Sequence, residues 1–218
     1  MFAASTPLAL AGCVEHLSTV HPAGPAAAAV AELWWVMLAG SVLIFVFVMA
    51  LLGAAFRMRG GGRTSQGLWI VGLGLAFPLA VLAALLTWGL LLGERYLVPR
   101  GGDAPVVQAE ARQWEWTFRY PDSARGPTEN LLMIPAGRPV DVEITSADVI
   151  HSFWVPRLAG KLDAIPGRTN VLRLQADAPG DYRGVSAEFS GAGYLGHRFT
   201  VRALDAEDWA AFLAGGEP

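Results

Sequence analysis

Side chains able to bind metal or attack a substrate are scarce in this chain, which has four histidines and one cysteine. Cys13 alone can form neither an internal disulfide nor a zinc site of several thiolates. His16 and His21 have no partner at metal-ligand spacing and read as solvated loop residues. His151 and His197 lie far along the chain, with Glu188 between them. Imidazole and carboxylate suit zinc or copper, so these three are candidate ligands for one ion. The alternative is a pair of hydrogen-bonded core or surface histidines. No catalytic triad, phosphate-binding loop or paired carboxylates stands in the sequence, so the chain is not expected to be an enzyme by itself. A net charge of −3 gives no reason to expect a nucleic-acid partner.

The elements that must position these residues divide sharply by composition. Over the whole chain 53% of residues are hydrophobic and 16% charged, against about 25% charged in ordinary soluble domains. The excess lies in two uncharged runs, 33–56 and 68–92, each longer than the roughly 20 residues that cross a bilayer as a helix. Pro78 is expected to kink the second or free a carbonyl, and Gly72 and Gly74 permit close helix approach. Trp34, Trp35, Trp69 and Trp88 stand near the ends of the runs, where indoles favour the interface. Between the runs, Arg57 to Arg63 carries three arginines and no acid. The positive-inside rule makes that loop cytoplasmic and puts both chain ends outside a bacterial cytoplasmic membrane, on the periplasmic side.

The N-terminal segment 1–32 is expected to be outer as well. Leu10-Ala11-Gly12-Cys13 resembles a lipobox, so Cys13 is the expected lipidation site, the alternative being an exposed thiol; residues 1–12 carry no basic residue. From 105 to 203, short apolar runs alternate with Pro-Asp, Pro-Ala-Gly and Gly-Ala-Gly punctuation, the pattern of an all-β sandwich or barrel. These runs are 106–120, 131–134, 140–145, 150–155, 171–175, 182–185 and 198–201. Residues 204–218 predict a short helix and tail, with Asp205, Glu207 and Asp208 suited to a helix N-terminus.

Several consecutive motifs resemble subunit II of heme–copper respiratory terminal oxidases. Gln113-Trp114-Glu115-Trp116 followed by Tyr120-Pro121 looks like that family's aromatic motif. The segment 145–156, containing His151, is similar to the one that carries its first copper histidine, and 161–168 is similar to the loop after it. The resemblance implies a two-helix transmembrane hairpin followed by an all-β, cupredoxin-like Greek-key sandwich. It also implies that oxidase subunit I, holding the hemes and its own copper, and other oxidase subunits are partners, with membrane lipid around the helices.

The family's binuclear copper centre uses a Cys-x-Glu-x-Cys-Gly-x-x-His-x-x-Met segment. The matching residues here are Ser186, Glu188, Ser190, Tyr194 and His197, so that of the ligand positions only His151 and Glu188 are kept. A serine hydroxyl is a hard oxygen that holds its proton near neutral pH and cannot replace a bridging thiolate. Binuclear copper is therefore expected to be absent. This resembles the quinol-oxidising, bo-type branch, although retention of His151 and Glu188 resembles the copper-bearing relatives. The resemblance further implies magnesium at Glu188 against subunit I, the bland alternative being an interface salt bridge. Trp114 matches the electron-entry tryptophan, here expected to pack structurally. The resulting expectation is a non-catalytic subunit II of a proton-pumping terminal oxidase, with quinol oxidised at subunit I. Alternatives are a cytochrome c oxidase subunit II with a degenerate metal site at His151, Glu188 and His197, and a free-standing membrane-anchored copper-binding lipoprotein.

Overall fold

The computed structural model describes residues 15–57, 65–96 and 103–216. Cys13, most of the arginine loop (58–63) and the last two residues lie outside the described residues. The chain forms two compact units, one made of 1–28 with 99–218 and the other of 29–98.

The second unit is helical. Helix α1 runs Pro25–Arg57, and a π-helical stretch Gly67–Ala76 passes directly into α2, Phe77–Tyr96. Both are long and apolar enough to span a membrane. Most of their leucines, valines and phenylalanines are exposed around the helices, a surface that water would disfavour and lipid accepts. Pro78 supplies no N–H and its ring crowds the carbonyl one turn back. The wider turn upstream, in which Phe77 N–H donates to Gly72 O, absorbs that irregularity within the helix. The first helix also starts at Pro25, before the uncharged run at 33. Proline is well placed in a first helical turn, where its missing N–H leaves no bond unmade, and the alanines that follow favour helix.

The other unit is a sandwich of two five-stranded sheets. The strands are β1 (Val106–Arg112), β2 (Glu115–Arg119), β3 (Thr128–Glu129), β4 (Leu131–Pro135), β5 (Val140–Ser146), β6 (His151–Trp154), β7 (Leu162–Ala164), β8 (Asn170–Leu174), β9 (Gly180–Ser186) and β10 (Arg198–Leu204). One sheet has the order β3-β2-β1-β5-β8 and the other β4-β10-β9-β6-β7. Alternation sets the faces: along β5, Val140, Val142 and Ile144 are buried while Asp141, Glu143 and Thr145 are only partly so. The run 106–120 is not one strand but a β1–β2 hairpin turning at Gln113-Trp114. The Gln113 N–H is taken by the Asp148 carboxylate at 2.8 Å, which fixes the turn at a point that hydropathy does not mark.

Helix α3 (Ala206–Leu213) follows β10, with the Asp205 carboxylate accepting from the N–H groups of Glu207 and Asp208. A strap from the N-terminal segment lies along the sandwich: Ala23 N–H donates to Arg157 O, Asp177 N–H to Ala23 O, and Arg157 Nε to His21 O. Gly24 is required there, because a Cβ would come within 2.2 Å of Gln175 O.

Candidate functional site

Three connections at one end of the sandwich converge: the β1–β2 turn, the β5–β6 loop, and the 187–197 loop between β9 and β10. Gln113 ties them together. Its backbone N–H binds Asp148, and its Nε2 donates to Ser190 O at 2.5 Å. Beneath them lies a buried aromatic cluster centred on Trp116, which is fully buried. Its ring centroid is 5.4 Å from those of Phe153, Phe199 and His197, and His197 stacks on it.

His151 and His197 are brought side by side, ring centroids 4.9 Å apart, both without solvent exposure. His151 Nε2 donates to Asp148 Oδ1 at 2.8 Å. Burial opposes ionisation of that carboxylate, yet hydrogen bonds from His151 and from the Gln113 and Val149 N–H groups pull its pKa down to about 2. Burial, and then the neighbouring His151, lower the pKa of His197 to about 4.

The degenerate ligand positions do not all meet. Ser186 and Ser190 are buried, and the Ser186 hydroxyl accepts from Ser152 N–H at 3.4 Å. Glu188 is exposed, its Oε1 taken by the adjacent Phe189 N–H at 3.0 Å. Tyr194 is half-buried and its ring packs edge-on against Phe189. Trp114 is 43% exposed and lies on the Gly191–Gly193 turn, where a Cβ on Gly193 would come within 2.5 Å of the indole. No group of three or more His, Cys, Asp or Glu able to hold a metal occurs among the described residues.

The buried side-chain polar atoms without a hydrogen-bond partner, among the described residues, are Trp116 Nε1, His151 Nδ1, Ser152 Oγ, Ser190 Oγ and both ring nitrogens of His197. All belong to residues in or next to this cluster, although such atoms are normally paired in folded proteins. Sequence reasoning missed Trp116, Ser152 and Asp148 as parts of the site. The spacing of Asp148 and His151 across a short loop was the available signal for the carboxylate–imidazole pair.

Residues 124–203 match the family model described as cytochrome c oxidase subunit II, periplasmic domain. Cytochrome c oxidase subunit 2 of Albinaria caerulea is 33% identical over 58% of this chain and 67% of its own length. The chain belongs to the subunit II family of heme–copper oxidases. Relatives named for cytochrome c oxidase and relatives named for quinol oxidase both match this chain. Cytochrome c oxidase subunit 2 of Alkalihalophilus pseudofirmus is 30% identical over 95% of this chain, and quinol oxidase subunit 2 of Bacillus cereus is 29% identical over 93%. The chain spans 65% of the length of the former and 74% of the latter. Among solved structures, the periplasmic domain of subunit II of cytochrome oxidase from Bradyrhizobium japonicum superposes with a TM-score of 0.50 at 26% identity, over 53% of this chain and 94% of that one. The β unit therefore has the cupredoxin-like fold of subunit II, and the apolar helices make this family member a membrane-anchored protein.

Proposed function

We infer that this subunit II serves a quinol-oxidising terminal oxidase and holds no binuclear copper. The observation that carries the reading is the donor set at the family's copper position. Two serine hydroxyls, Tyr194 and His197 stand where two bridging thiolates, a histidine and a methionine are needed, and hard oxygen donors do not fit a thiolate-bridged pair of copper ions. The name of the Bacillus cereus relative supports the quinol branch. On this reading the chain carries no catalytic residue. It accompanies subunit I, where quinol is oxidised and the hemes reside, with both chain ends and the β unit on the periplasmic side and lipid on Cys13. Trp114, with no copper behind it, braces the glycine turn. Glu188, solvent-exposed and bonded among the described residues only to its neighbour's N–H, is available as one oxygen ligand of a magnesium ion completed by subunit I.

A second reading is favoured by the unpartnered nitrogens. With His151 Nε2 engaged by Asp148, His151 Nδ1 and the His197 ring are left to hold one zinc or copper ion. Metal analysis and electron spin resonance of the purified complex, together with turnover, separate the two. The first reading expects no two-copper signal, turnover with quinol but not with reduced cytochrome c, and a rate nearly unchanged in Trp114→Phe. A stoichiometric copper pair, or brisk cytochrome c oxidation abolished by Trp114→Phe, would overturn it. One ion per subunit, lost in His151→Ala/His197→Ala, would establish the second.

A further inference from the structure

On the outer face of the second sheet, away from the histidine cluster, β9 and β10 present two arginines to one concavity. Arg183 stands opposite Thr200 and Arg198 opposite Val185 in the antiparallel register. The two arginines are thus diagonal neighbours, roughly 7–8 Å apart in such a ladder. They line a cavity of about 320 Å³ together with Thr200, Asn130 and Leu17. Asn130 has its Oδ1 fixed on the Trp116 N–H at 2.9 Å, which leaves its amide NH₂ as a donor.

The same sheet shows how its other charge is handled. Arg202 holds Asp181 with two bonds of 2.8 and 3.0 Å. In the first sheet Arg173 holds Asp141, and Arg112 and Arg119 share Glu110. Arg183 and Arg198 have no carboxylate partner among the described residues; Arg198 Nε donates to Leu195 O at 3.2 Å, which orients its guanidinium. Like charges on neighbouring strands repel, so this pair is held at a cost that an anion between them would remove.

We propose that this concavity is a binding site for a phosphate-class oxyanion, carried either by free phosphate or by a phospholipid headgroup. Two guanidinium forks, a hydroxyl and an amide provide more donors than a planar carboxylate can accept, and they suit a tetrahedral oxyanion. The site does not depend on which electron donor the oxidase uses.

The test uses the full chain in nonionic detergent, free of phosphate and at constant ionic strength, with calorimetric titration. Probes are inorganic phosphate, dihexanoylphosphatidylglycerol, zwitterionic dihexanoylphosphatidylcholine and acetate. One of the two anionic phosphate probes is expected to bind with 1:1 stoichiometry, and which one identifies the source. Arg183→Gln and Arg198→Gln should each weaken that binding about tenfold or more, as loss of a charged hydrogen bond does. Both side chains are exposed, so an unchanged melting temperature in phosphate-free buffer shows that the variants fold. Binding of acetate as tight as phosphate, no saturable binding of either phosphate probe, or wild-type affinity retained in both variants would overturn the proposal.

Discussion

His197 is the residue whose surroundings depart furthest from what its sequence position announces. It lies in a loop rich in glycine, yet its ring is stacked on Trp116 and wholly buried. Its pKa of about 4, against the usual 6.5, has a consequence for stability. Between pH 6.5 and 4 the unfolded chain binds a proton there that the folded chain refuses, so stability falls as pH drops through that window. Asp148, with its pKa held near 2 rather than 3.8, contributes stability that is lost only at more acid pH, from about 3.8 downward. Melting temperatures of the full chain between pH 7 and 4 should therefore decline less steeply in His197→Phe than in the wild type. Equal slopes would mean that the imidazole is not the buried base described here. The sequence marked His151 and His197 as candidates, but forty-five positions separate them, and their adjacency exists only because β6 and the segment entering β10 both flank β9.

Among the elements, the β9–β10 pair shows how one small residue sets a core. Gly184 faces Phe199 across the ladder, and a Cβ there would lie 2.2 Å from the ring. That ring has nowhere to go, since Trp116, Phe118 and Phe153 surround it with centroids 4.7–5.7 Å away. Gly184→Ala should lower stability by about 1–3 kcal/mol through overpacking. Gly196→Ala, where nothing lies within 4 Å of the added carbon, should change it by less than about 0.5 kcal/mol. Chemical denaturation of both variants checks the pair, and similar losses would show that glycine content rather than contact matters. Eight of the ten strands fall on the apolar runs legible in the sequence, whereas the short β3 and β7 lie outside them. The break of 106–120 into a hairpin was not legible, because it depends on the Asp148 carboxylate 35 residues later. The strap at Ala23 and Gly24 escaped notice for the same reason: its bonds go to Arg157 and Asp177.

For the whole molecule, the proposed topology makes a prediction about the mature N-terminus. If Cys13 is lipidated, intact mass spectrometry of the membrane-extracted chain should show a diacylglyceryl-modified cysteine as the first residue. Retention of Met1 or an unmodified Cys13 would remove that part of the proposal. Composition alone determined that two apolar helices precede a β-rich unit, because burial in lipid and burial in a sandwich demand different hydrophobic periods. The order of several motifs likewise made the oxidase subunit II family readable before any fold was known. What the tertiary structure decided was which polar groups meet. It closed Ser152, Ser190, Trp116 and the two histidines around unmade hydrogen bonds, turned Glu188 out to solvent, and set Arg183 beside Arg198. Hydrophobic periodicity is local and survives in a linear sequence, whereas hydrogen-bond satisfaction and charge pairing depend on distances between residues that the chain brings together only on folding.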